Sequence, residues 1–243
     1  MKIRILGSAP GKPVSGKNHA CIWCLTHDRN ILFDCGEGAS QQLLKYKLDK
    51  DKIDSIIISH MHPDHISGIY QVLLMFKLNE RKSELQIFLP EQEDEFAKTL
   101  EMFYLFKQIL PFKIQIKNIQ DLDLNYLIPL KNDHLHKYKK LVKEQDLKNK
   151  MLSYSFIITE KDKKMIYTSD VNTLDFVKNN LGEGDLVILD SVHPIYEELE
   201  QNIKDHRFRF IINHGLSDAM KKLLPLISRE RYDFADEEKE IQL

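Results

Sequence analysis

Four side chains able to bind a metal ion fall within six residues, in the segment His60-Met61-His62-Pro63-Asp64-His65. An apolar run at residues 55–59 precedes them and reads as a strand, and Pro63 then turns the chain toward a helix. A strand that ends at His60 and turns at once lets His60, His62, Asp64 and His65 converge at the carboxyl edge of a sheet. Imidazole and carboxylate suit zinc and, less selectively, manganese or iron. A surface turn gains no stability from three histidines and an aspartate packed so closely. The cluster is therefore expected to hold metal, with a purely structural role as the alternative.

The surrounding elements can be read from periodicity and turn residues. Residues 2–6, 19–26 and 30–34 are expected as strands, with a Gly/Pro/Ser/Lys loop over 7–18 between the first two. A short helix follows at 39–47, then helices at 66–78 and 91–110 on either side of a strand at 85–89. Further strands are expected near 113–116, 126–130, 154–159, 165–168, 186–189 and 209–212, with a helix at 173–179. Two successive sets of strands and helices imply paired sheets flanked by helices, a four-layer α/β sandwich, in one domain over residues 1–243. Asp34 and Asp190 each close an apolar strand.

Composition narrows the partners. With 42% hydrophobic residues the chain can build a sizeable core. A formal charge of −2 on 35 basic and 37 acidic residues makes no global field for nucleic acid or an anionic membrane. The N-terminal Met1-Lys2-Ile3-Arg4-Ile5-Leu6-Gly7 lacks the apolar core of a signal peptide, and no apolar run approaches a membrane span. A cytoplasmic protein without a membrane partner is expected. Cys21, Cys24 and Cys35 do not form a disulfide framework. Cys21 and Cys24 sit on an expected strand at an offset that opposes their side chains, so core thiols are expected rather than a redox pair. Residues 135–150 are lysine-rich and read either as solvated surface or as a basic flap beside the site. The acidic tail, 233–240, reads as a solvated end.

The run Ser59-His60-Met61-His62-Pro63-Asp64-His65-Ile66-Ser67-Gly68 resembles the signature motif of the metallo-β-lactamase superfamily. The preceding Leu32-Phe33-Asp34-Cys35-Gly36-Glu37-Gly38-Ala39-Ser40-Gln41-Gln42-Leu43-Leu44, with Lys52-Ile53-Asp54, is similar to the ribonuclease Z branch. The resemblance implies the metallo-β-lactamase αββα fold and three later ligands. His134, after Ile128-Pro129-Leu130-Lys131-Asn132-Asp133, is the choice for the third histidine, with His136 as rival. Asp170 in Tyr167-Thr168-Ser169-Asp170 matches the bridging aspartate, and His214 in Ile211-Ile212-Asn213-His214-Gly215 the last histidine. The implied set is His60, His62 and His134 on one ion, Asp64, His65 and His214 on the other, and Asp170 between them. Asp64 and His65 are also the candidate catalytic residues. The resemblance places Asp34 behind the ligands, orienting an imidazole; Asp190 is open between that role and a helix cap or loop carboxylate.

Two divalent ions, zinc by expectation and manganese or iron as alternatives, lower the pKa of a bridging water from about 15.7 toward roughly 7. They can also hold both oxygens of an in-line displacement. The implied function is a metal-dependent hydrolase acting on a phosphodiester. Two departures bear on the substrate. Residues 135–150 replace the glycine/proline-rich arm that the branch uses to grip transfer RNA, and the histidine motif upstream of the last ligand is not recognisable, His193 and His206 standing in other contexts. A small anionic substrate, such as a cyclic or nucleotide-derived diester, is thus as much implied as an RNA end, with a homodimer left open. Lactone, thioester or β-lactam hydrolysis is the alternative, followed by iron-dependent oxidoreduction and a non-catalytic binding role.

Overall fold

A computed structural model of the chain describes residues 1–204 and 208–243, which form two compact units: Met1–Asp123 with Glu237–Gln242, and Leu124–Asp236 with Leu243. His206 lies outside the described residues.

The first unit opens with strands β1 (Lys2–Gly7), β2 (Cys21–Thr26) and β3 (Arg29–Phe33), which pair antiparallel in sequence. Parallel strands β4 (Ile53–Ile57), β5 (Leu85–Leu89) and β6 (Ile114–Asn118) continue the sheet from β3. β1 alternates, with Ile3 and Ile5 buried and Lys2 exposed, as suits a sheet with one face covered. β5 and residues 56–58 at the end of β4 are nearly all apolar, because a parallel sheet is buried on both faces. The helices are α1 (Ala39–Lys45), α2 (Pro63–Ile66), α3 (Ile69–Leu78) and α4 (Glu93–Met102). Ile69, Val72, Leu73 and Phe76 of α3 share one hydrophobic cluster with Ile56, Ile87 and Leu89. The three cysteines are buried thiols, as expected, and burial, with a smaller push from the Asp34 charge, raises the Cys35 thiol far above its ordinary range.

Two helices differ from expectation. The helix expected over 66–78 breaks at Ser67–Gly68, where the Gly68 amide donates to Cys35 O (2.9 Å) and so holds the chain to the end of β3. The helix expected over 91–110 stops at Met102, because Tyr104 takes a left-handed conformation (φ 60°), and only a short 3₁₀ turn, Lys107–Ile109, follows. Arg81, fully buried after α3, donates to the carbonyls of Ile53, Ser83 and Glu84, tying the start of β4 to the start of β5.

The second unit contains β7 (Leu127–Lys131), β8 (Tyr154–Glu160) and β9 (Lys163–Tyr167), paired antiparallel. Parallel strands β10 (Leu186–Asp190), β11 (Arg209–Asn213) and β12 (Tyr232–Phe234) follow β9 in the sheet. Its helices are α5 (Lys139–Glu144), α6 (Asp175–Asn180), α7 (Tyr196–Ile203) and α8 (Asp218–Leu223). Ile166, Val187, Leu189 and Ile212 of the sheet pack with Leu199, Ile203 and Met220. The lysine-rich stretch contains α5, and Lys137, Lys139, Lys140 and Lys143 are all exposed.

The acidic tail is not a free end. It returns to the first unit as β13 (Glu240–Gln242), antiparallel to β1, and completes a seven-stranded sheet in the order β13-β1-β2-β3-β4-β5-β6. Strands of three residues are too short to declare a period, which is why β12 and β13 escaped the sequence reading. Among the described residues no helix is long and apolar enough to cross a membrane.

Candidate metal centre

In the first unit the motif occupies the turn from β4 into α2. His60 Nε2 and His62 Nδ1 lie 3.0 Å apart, and His65 Nε2 lies 3.5 Å from Asp64 Oδ2. Asp34 stands behind them, fully buried. Its Oδ1 accepts from the Ser59 amide (2.7 Å), and its Oδ2 accepts from Ser59 Oγ (2.9 Å) and His65 Nδ1 (2.8 Å). That carboxylate selects the His65 tautomer with Nε2 turned toward Asp64. Asp34 itself is left-handed (φ 59°), a conformation costly for a residue with a side chain and held here by these three bonds.

Glycine permits this packing at two positions. A Cβ on Gly36 would sit 2.2 Å from Asp64 O, and one on Gly68 1.9 Å from Gly36 O. The segment after β3 and the start of α3 can therefore close on the motif only without side chains there.

In the second unit the segments that follow β7, β9 and β11 deliver His134, Asp170 and His214, all buried. Asp170 Oδ2 lies 3.3 Å from His214 Nε2 and 3.6 Å from His134 Nε2. Ser169 and His214 take left-handed conformations (φ 50° and 62°), which turn the chain sharply as it leaves β9 and β11. Asp133 Oδ1 accepts from the Asn172 amide (3.0 Å), and Asn172 Nδ2 donates to Asp133 O (3.1 Å), so the turn bearing His134 is tied to the loop bearing Asp170. His134 starts a 3₁₀ helix, His134–Tyr138, rather than ending a strand. Two residues along a 3₁₀ helix turn the side chain by about 240°, so His136 points elsewhere and is exposed. A continued strand would have put both histidines on one face, and the 3₁₀ turn separates them.

His193, set aside in the sequence reading, belongs to this group. Its Nδ1 donates to Asp190 Oδ2 (2.7 Å) and lies 3.7 Å from Asp170 Oδ2, and its ring centroid is 4.6 Å from that of His134. Asp190 also accepts the amides of Val171 (3.1 Å) and Val192 (2.8 Å), so it acts as loop carboxylate and imidazole partner at once. Burial opposes protonation of His193, but the hydrogen bond to Asp190 and the charges of Asp190 and Asp170 outweigh it and raise its pKa. The available signal was the spacing Asp190-Ser191-Val192-His193 after an apolar strand, which places aspartate and imidazole on one tight turn.

These donors suit small divalent cations. Two ligands at about 2.1 Å from a tetrahedral ion stand about 3.4 Å apart, and the separations within each unit, 3.0 and 3.5 Å in the first and 3.3 and 3.6 Å in the second, cluster around that value. Imidazole and carboxylate are also the donor types zinc and manganese take.

Comparison with known proteins gives the lineage. The chain is 31% identical to ribonuclease Z of Picrophilus torridus over 183 residues, 74% of this chain and 54% of that protein. A Prochlorococcus marinus ribonuclease Z is 28% identical over 206 residues, 84% of this chain and 60% of its own. The chain thus spans little more than half the length of these relatives. Its fold is that of the metallo-β-lactamase protein YhfI from Bacillus subtilis, with a TM-score of 0.75 at 19% identity over 99% of this chain and 98% of that one. The expected α/β metallo-β-lactamase fold is therefore the fold found. The family described as anti-Pycsar protein Apyc1 matches residues 1–214, a span that contains every strand end discussed above, and the chain belongs to that family.

Proposed function

We propose that this protein is a hydrolase that uses two divalent ions, zinc by preference, to cleave a phosphodiester, with residues 1–243 acting as one functional domain. In this reading His60, His62 and His134 hold one ion, Asp64, His65 and His214 the other, and Asp170 is shared. Bound there, the ions supply Lewis acidity toward the phosphoryl oxygens and acidify water toward neutral pH.

The chain's own groups supply orientation and a proton. Asp34 accepts from His65 Nδ1 and keeps Nε2 as the donor nitrogen. Asp190 accepts from His193 Nδ1, which leaves Nε2 to carry a proton toward the departing oxygen. An alkoxide is a poor leaving group unless protonated, and the bond to Asp190 orients the His193 ring to supply that proton. The observation that carries this reading is the Asp190–His193 pair set 3.7 Å from Asp170: an oriented acid beside a carboxylate with metal-ligand spacing. Similarity to ribonuclease Z favours a phosphodiester over a lactone, thioester or β-lactam. The stretch after His134 forms a short helix rather than a long arm, which favours a small nucleotide-derived or cyclic diester over transfer RNA.

Metal analysis of the purified protein, followed by side-by-side assay on bis(p-nitrophenyl) phosphate, a lactone and a thioester, tests the reading. Faster turnover of the diester is expected. Equal or preferential turnover of either carboxylic substrate rejects it.

A further inference from the structure

The carboxylate of Glu237, in the tail that returns to the first unit, closes the neck of the loop over residues 8–18. Oε1 accepts from the Ser8 amide, Ser8 Oγ and the Asn18 amide, each at 3.2 Å. Oε2 accepts from Asn18 Nδ2 (2.8 Å) and Gln42 Nε2 (3.4 Å). The Glu237 carbonyl accepts from Tyr46 Oη, which joins the same tail residue to the end of α1. Both ends of the loop, and one helix, thus converge on a single half-buried side chain. Across the neck the Ala9 amide donates to Asn18 O (2.8 Å).

What this loop touches gives the arrangement its significance. Gly11, near the loop's middle, lies so close to the motif that a Cβ there would meet Asp64 Oδ2 at 3.3 Å. Pro13, Lys17 and Asn18 wall a cleft of about 680 Å³ whose other side includes Gln41, Ser67 and Gln71. α1 and α3 follow the parallel strands β3 and β4, so their first turns open on the sheet edge that carries Asp34 and His60. Residues 11–17 are exposed and contain no regular secondary structure, so little besides the neck determines their path.

We propose that Glu237 is a positioning residue: it fixes the loop that borders Asp64 and walls the adjoining cleft, and so makes substrate binding depend on the carboxy-terminal tail. The catalytic part of this inference rests on the phosphodiesterase reading above. Glu237 acts through the loop and touches no reacting group. A charged acceptor that serves five donors has no equivalent in alanine. Glutamine keeps one acceptor oxygen, enough for the Ser8 and Asn18 amides but not for both carboxamides.

The test compares the parent protein with Glu237→Ala and Glu237→Gln in two measurements. The first is limited trypsin cleavage after Lys17; Lys12 is followed by Pro13 and resists. Cleavage is expected to quicken in the order parent, glutamine, alanine while the thermal midpoint changes little. The second is steady-state hydrolysis of bis(p-nitrophenyl) phosphate. The alanine variant should lose roughly ten- to a hundredfold in kcat/KM, mostly through KM, with the glutamine variant restoring part of it. A role confined to holding β13 would lower the thermal midpoint without splitting KM from kcat. Unchanged cleavage in both variants, or faster cleavage with unchanged KM, overturns the proposal. Should the alanine variant fail to fold, the glutamine variant carries the same comparison. A parent without phosphodiesterase activity rejects the proposed function and the catalytic half of this inference together, whereas an active parent with unaffected variants rejects this inference alone.

Discussion

His193 Nδ1 donates to Asp190 Oδ2 at 2.7 Å, and the two residues belong to one turn at the end of β10. The pair raises the pKa of the imidazole despite its burial, through the bond itself and through the charges of Asp190 and Asp170. A group whose folded pKa is raised stabilises the fold while it is protonated. That contribution is fully present below the unfolded value of about 6.5 and is lost as pH rises through the folded value. In the metal-free protein His193 should therefore titrate above the ordinary histidine value, and in Asp190→Asn below its value in the parent. An NMR titration of the imidazole checks both, and an unmoved midpoint in the variant rejects the assignment. In the metal-loaded enzyme His193→Ala should lower kcat on the order of 10²- to 10⁴-fold, the usual worth of a positioned acid.

Metal content should follow the motif. Elemental analysis is expected to find about two divalent ions per chain, and His62→Ala should lose most of the metal, since His62 Nδ1 and His60 Nε2 converge at 3.0 Å. Parent protein purified without chelator and found free of transition metal would contradict the whole ligand set.

The two histidines of the 3₁₀ turn should behave differently. His134 is 1% exposed and faces Asp170, whereas His136 is exposed. His134→Ala should lose activity by a hundredfold or more, roughly the cost of a misplaced first ligand. His136→Ala should keep most of it. The reverse order in the same assay would transfer the ligand role to His136.

Lys137 is the lysine best placed to meet an anionic substrate. Lys137 lies one 3₁₀ turn after His134 and is exposed, and its charge acts on His193. Lys140, by contrast, pairs with Glu144 at 3.8 Å on a fully solvated face of α5. Lys137→Gln should raise KM for a diester several-fold with little change in kcat, and added salt should reproduce the shift in the parent. The triple change Lys139→Gln, Lys140→Gln, Lys143→Gln should do less. A KM for Lys137→Gln equal to that of the parent at low salt would show the lysines to be ordinary surface.

Much of this was legible in the chain itself. Donor residues packed as tightly as His60, His62, Asp64 and His65 carry their own meaning, because no packing argument explains them. Strands as apolar as β5 and β10 declare themselves by composition, since a parallel sheet is buried on both faces. The resemblance to the metallo-β-lactamase superfamily implied Asp34 behind the ligands, and it does hold His65.

Other features depend on contacts between residues far apart in sequence, which no local pattern encodes. His134 and His136 looked equivalent until the chain chose a 3₁₀ turn over a continued strand, and that choice rotates one of them away. His193 gained its place because Asp190 and Asp170 approach it from two different strand ends. Glu237 looked like one acid among many in a solvated tail, and only the pairing of β13 with β1 brings it to Ser8 and Asn18. Short-range periodicity reports which face of an element is buried. The identity of its neighbour is decided when the chain folds back across more than two hundred residues and a three-residue strand finds an edge to join.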